Sequence, residues 1–153
     1  MLTAIPESLA ELYVKDETSW LEAMAELVSR RDLAGLDLDN LREYLTDMAS
    51  RDRREVKNRL VILLAHLLKW EYQPGKRSRS WRTTVLTQRL ELADLAGRGV
   101  LRAHADAVLS EAYKNAVELA ASETGLPSDS FPVDSPYTIA QVFAIDLADD
   151  GVF

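Results

Sequence analysis

A chain of 153 residues that is 47% hydrophobic and 28% charged has the size of one folded domain and is too apolar for disorder. It has no cysteine, which excludes disulfides, thiolate metal sites and a cysteine nucleophile, and fits a reducing compartment. The net charge of −7 is unevenly spread: residues 51–89 carry 11 Lys and Arg against 3 Asp and Glu, and the rest of the chain 7 against 22.

Helical periodicity dominates the pattern. Ser19 with Glu22 has capping-box spacing and predicts a helix start, after an N-terminal segment of residues 1–15. Trp20, Ala23, Met24, Leu27 and Val28 then form one apolar stripe, and Arg30 and Arg31 fall where the last turn favours cations. Asp37 is the predicted N-cap of the next helix, along which Leu38, Leu41, Leu45 and Met48 recur at helical spacing. Residues 49–59 turn polar, with Glu55 and Arg59 at a favourable i,i+4 separation. Residues 60–70 are apolar on most sides, which predicts the most buried segment. The pattern allows Leu38–Tyr72 to be one helix or two broken near Ser50, and Pro74-Gly75 ends it either way.

Ser78 or Ser80 is the predicted cap of a third helix, with Trp81, Val85, Leu92 and Leu95 on one face and Gly97 and Gly99 closing it. A fourth runs over about 100–124 on a stripe of Leu101, Ala105, Val108, Ala112, Ala116 and Leu119, and stops at Gly125 and Pro127. Three prolines make residues 126–137 extended. Thr138 with Gln141 is a second capping box, opening a short helix to about Leu147. Phe131, Tyr137, Ile139 and Phe143 are too apolar for a free tail. The fold expected is all-α: one domain, a bundle of four main helices with a short C-terminal helix packed on it.

The run Leu64-Ala65-His66-Leu67-Leu68-Lys69-Trp70-Glu71-Tyr72-Gln73-Pro74, followed by Arg77-Ser78-Arg79-Ser80-Trp81, resembles the bacterial family catalogued as domain of unknown function 29. Trp20, Asp37-Leu38-Asp39-Asn40-Leu41, Glu111-Ala112-Tyr113, Glu123-Thr124-Gly125-Leu126-Pro127 and Pro136-Tyr137-Thr138 agree with it. The resemblance covers nearly the whole chain, implies an all-helical fold and brings no activity with it. Residues 88–99 depart from it in being weakly patterned.

Two groups of residues are candidates for function. His66 lies on the apolar helix, and Arg59 sits two turns earlier on the same face. That spacing resembles the motif of the higher-eukaryote-and-prokaryote nucleotide-binding (HEPN) helical nucleases, in which the resemblance implies acid–base work by the histidine on a ribose hydroxyl and charge stabilisation by the arginine. Those proteins place a polar residue after the arginine, where this chain has Leu60. The alternative is a core histidine held by one hydrogen bond. The second group is Lys76, Arg77, Arg79, Arg82 and Arg89, interleaved with Tyr72 and Trp81. Arginines hold phosphate and aromatics stack on bases, beside a helix N-terminus with free amides. The alternative is that the tryptophans are core and the cations pair with the acidic ends.

Metal and cofactor are not expected: His66 and His104 stand far apart, and no glycine-rich phosphate loop is present. No apolar run reaches the roughly 18–20 residues that span a bilayer, and residues 1–13 carry acids where a signal peptide carries bases. The expectation is a cytoplasmic, non-catalytic interaction module that docks to a protein partner or to itself through segregated charge. Its rival is a nucleic-acid-associated protein, binding through residues 77–89 or cleaving RNA through Arg59 and His66.

Overall fold

The computed structural model describes residues 8–147. Residues 1–7, part of the stretch compared with a signal peptide, and residues 148–153, the end of the C-terminal segment, lie outside the described residues. The elements in order are α1 (Leu9–Lys15), α2 (Glu17–Ser29), α3 (Leu38–Tyr72), α4 (Arg79–Ala96), α5 (Gly99–Thr124) and α6 (Ile139–Ala144). Single 3-10 turns form at Pro74–Lys76 and Ser128–Ser130, and the described residues contain no strand. The fold is all-helical. It divides into two compact units, the first ending at Ser50 and the second beginning at Arg51.

The first unit is built by its caps. Ser8 accepts from the Glu11 amide and opens α1, a helix inside the stretch set aside as an N-terminal segment. Asp16 ends α1 through its own N–H to the Leu12 carbonyl and starts α2 by accepting from the Ser19 amide at 3.1 Å. The expected Ser19 cap is therefore corrected. The Ser19 hydroxyl donates to Asp16 at 2.6 Å, and a carboxylate outcompetes a hydroxyl for an orphan amide. Helix α2 ends at Ser29, so Arg30 and Arg31 fall just past its last turn. Arg30 still reaches back to Glu26 at 2.8 Å, and Arg31 turns the chain with a left-handed φ of 58°.

Trp20 is the centre of this unit and is fully buried. Its ring meets Tyr13 edge-on at 4.7 Å and Tyr44 at 5.8 Å, and its indole N–H donates to Asp37 at 3.1 Å. Asp37 in turn caps α3: its carbonyl accepts from the Leu41 amide, and its carboxylate from the Asn40 side chain at 2.8 Å. The bond from Asn40, aided by Trp20 and opposed by desolvation, holds this carboxyl below its usual range. Besides Trp20 only Met24 is buried among the described residues of the unit, and Val28, expected on the buried stripe, is 55% exposed. Residues 1–50 carry 4 Lys and Arg against 11 Asp and Glu, while residues 51–153 carry 14 of each, so the whole net charge belongs to the first unit.

Helix α3 is continuous. No glycine or proline interrupts residues 38–72, so the polar stretch 49–59 changes which face is wetted without breaking the hydrogen-bond ladder. In the second unit Val56, Leu60, Leu63, Leu64, Leu68 and Trp70 form the buried spine predicted from the apolar run. Val85, Leu92 and Ala96 of α4 pack on it, as do Ala105, Ala112, Tyr113, Ala116 and Ala120 of α5. The alanines allow close helix approach. Ser78, not Ser80, caps α4 by accepting from the Trp81 amide at 3.2 Å.

Gly99 and Gly125 turn the chain at φ +68° and +75°, values that glycine reaches without the usual steric cost. The Thr138–Gln141 capping box forms as predicted, but α6 stops at Ala144. Phe131, Ile139, Val142 and Leu147 nevertheless return to the core.

Candidate functional site

The functional candidates lie on α3, on α4 and in the turn between them. His66 is half-buried on α3. Its ring Nδ1 lies 2.8 Å from the Ile62 carbonyl one turn back. A carbonyl only accepts, so Nδ1 carries the proton and Nε2 is left with the lone pair. Burial, with a contribution from the Lys69 charge, lowers the imidazole pKa below its usual value despite the opposing effects of Ile62 and Glu123.

That shift has a defined sign. A folded-state pKa depressed below the unfolded value near 6.5 gives stability that is complete above about pH 6.5 and is lost as the pH falls through the folded value. Urea midpoints of the native protein will fall over that window. His66→Gln will flatten the fall, and an unchanged pH profile in the variant would show that His66 carries none of it.

Arg59 is committed elsewhere. Its Nε and Nη2 donate to one oxygen of Glu55 at 2.9 and 2.8 Å, and its Nη1 donates to Gln88 of α4 at 3.2 Å. Glu91 stands 3.7 Å away. The guanidinium thus clamps α3 to α4. The two turns between Arg59 and His66 separate their backbones by about 10 Å along the helix.

The basic cluster divides. Arg77 donates from Nε to the Trp70 carbonyl at 2.8 Å and lies 5.1 Å from the centre of the Trp70 ring, with Arg82 at 5.7 Å. Trp70 is only 2% exposed, so these cations pack on a buried indole. Arg89 is half-buried on α4. Lys76, in the 3-10 turn, and Arg79, at the first position of α4, are exposed. Trp81 is partly buried against the core, and Tyr72 meets Phe131 edge-on at 5.2 Å.

Sequence reasoning passed over Lys69. It is 7% exposed, its ammonium lies 2.6 Å from Glu123 of α5, and it sits 4.8 Å above the Trp81 ring of α4. The signal was the lone cation inside the apolar run 60–70: a buried charge requires a partner. Lys57 makes a second bridge to α5, to Glu111 at 2.6 Å.

Tyr113 and Tyr137 of the second unit form a further group, for which the sequence suggested packing and family likeness but no site. Tyr113 donates to the Pro132 carbonyl at 2.6 Å, and burial pushes its pKa up to about 12. Burial, then the charge of Glu71, pushes Tyr137 well above the usual phenol range. A cavity of about 50 Å³ between Trp70, Glu71 and Tyr137 has room for one or two waters. A depression of about 390 Å³ beside Lys114, Phe131 and Pro132 is lined by neither His66 nor Arg59. Among the described residues no group of His, Cys, Asp or Glu is placed to hold a metal ion, and no helix is long and apolar enough to cross a membrane.

A family model described as Domain of unknown function DUF29 matches residues 12–147, which takes in α2 to α6 entire. The chain belongs to the DUF29 family. The match includes His66, Arg59 and the basic cluster. No curated protein and no solved structure matches the chain.

Proposed function

We propose that this DUF29 protein is a non-catalytic, cytoplasmic interaction module whose acidic first unit docks onto a basic surface of a protein partner. The observation that carries this reading is the confinement of the net charge of −7 to residues 1–50. There Leu38 and Leu45, seven residues apart on one face of α3, stay 62% and 59% exposed. The exposed carboxylates of Asp39, Glu43 and Asp47 run along the same helix. Apolar anchors flanked by like charges suit electrostatic steering followed by burial. The employment of Arg59, Lys57 and Lys69 as clamps between helices supports the same reading, because it leaves fewer cations for a polyanion.

The rival is nucleic-acid binding through the exposed Lys76 and Arg79, and one experiment separates the two. A fluorescent basic amphipathic peptide is expected to bind the full chain at low salt and to be released as salt rises. Exposed pairs contribute roughly 0.2–1 kcal/mol each, so the triple variant Asp39→Asn, Glu43→Gln, Asp47→Asn should weaken binding roughly tenfold. Failure to bind the peptide, with salt-sensitive retention on single-stranded RNA that Lys76→Ala/Arg79→Ala removes, overturns the proposal in favour of the rival.

A further inference from the structure

Among the described residues the outer face of α4 stays exposed, with Leu86 at its edge bordering Ile145 and Leu147, and its layout is that of a helix-pairing seam. The inner face is set by Trp81, Val85, Leu92 and Leu95. On the opposite side Thr83, Leu86, Thr87, Leu90 and Ala93 are all exposed, with Leu86 at 44% and Leu90 at 53%. The positions 83, 86, 90 and 93 follow the 3,4,3 spacing of a coiled-coil seam, and none is charged. Charge appears only where the stripe ends. Arg79 lies one turn before Thr83 and Asp94 one turn after Leu90, both exposed and neither in an ion pair among the described residues.

Those two charges sit at the wrong ends of their own helix. The first turn of α4 has no acid and its last turn no base. Arg79 therefore faces the positive end of the helix dipole and Asp94 the negative end. A second α4 laid antiparallel reverses both relations. Leu86 and Leu90 of one copy then meet Leu90 and Leu86 of the other, which sets each Arg79 opposite the C-terminal end of the other α4, about one turn from its Asp94. A parallel pair would stack Arg79 on Arg79 and Asp94 on Asp94.

We infer that the occupant of this face is a second copy of the chain, and that α4 pairs with its counterpart antiparallel about a two-fold axis near Gln88. This self-association is independent of the acidic docking surface, which lies on the first unit. Three turns of seam make a small isologous interface, so the dimer forms in a concentration-dependent way.

Sedimentation equilibrium of the full chain from micromolar to millimolar concentration is expected to show monomer and dimer in exchange. Leu90→Glu changes an exposed residue, so its circular dichroism should match the parent, and its dimerisation should weaken at least tenfold. A parent that stays monomeric throughout overturns the inference, as does a folded Leu90→Glu variant that dimerises like the parent. Orientation is read from cross-linking, because the chain has no cysteine of its own. Mixed Thr83→Cys and Ala93→Cys proteins, one carrying a mass tag, are expected to oxidise to the 83–93 heterodimer. Disulfides joining 83 to 83 and 93 to 93 instead would mean a parallel pair and would sink the charge argument.

Discussion

Trp20→Ala is expected to unfold the first unit while the second stays folded. A buried tryptophan truncated to alanine costs about 3–5 kcal/mol. Here it also removes the plate between Tyr13 and Tyr44 and the indole bond to Asp37. The unit has little to set against that loss, since only Met24 is buried beside Trp20 among its described residues. Amide exchange measures the outcome unit by unit. The amides of α2 should lose protection, while those of α5 keep it. Trp20→Phe preserves the stack and gives up mainly the hydrogen bond, a loss of about 1 kcal/mol. Protection in α2 that survives the alanine change would mean that Trp20 is not what holds the unit.

Trp70→Ala is expected to have a comparable effect on the second unit, by a different route. The side chain is buried at the C-terminal end of the α3 spine, next to an existing cavity of about 50 Å³. Truncation enlarges that void, and the rigid helices around it limit collapse, so the cost falls in the range of about 3–5 kcal/mol. Against a total stability of roughly 5–15 kcal/mol for a domain, that is a large fraction. Arg77 and Arg82 lose the indole face they rest on at the same time. Urea unfolding followed by circular dichroism tests this, with Trp70→Phe expected to retain most of the stability. A midpoint that barely moves in the alanine variant would contradict the central place given to the stretch around His66.

How much was legible in the sequence depended on whether the deciding interaction was local. The Thr138–Gln141 box, the Gly125 stop and the apolar run 60–70 were legible because donors and acceptors three or four residues apart, or periodicity along one helix, determine them. The Ser19 cap failed on equally local ground: Asp16, three residues earlier, is the stronger acceptor. The site was less accessible. Arg59 and His66 were found by spacing, and their nearest partners, Glu55 and Ile62, are local, but the bond from Arg59 to Gln88 of α4 spans 29 residues and the burial that depresses the His66 pKa comes from tertiary packing. The pairing of Lys69 with Glu123 spans 54 residues and leaves no periodic trace. The exposure of Leu86 and Leu90 is likewise a tertiary fact, since a stripe of leucines reads the same whether covered or bare.

The partition of charge between the units has a colloidal consequence. A body with equal numbers of positive and negative groups sits close to its isoelectric point at neutral pH, where copies no longer repel one another and bare leucine faces stick. The acidic first unit supplies the missing repulsion for the whole chain. Masking those carboxylates with cations would remove it.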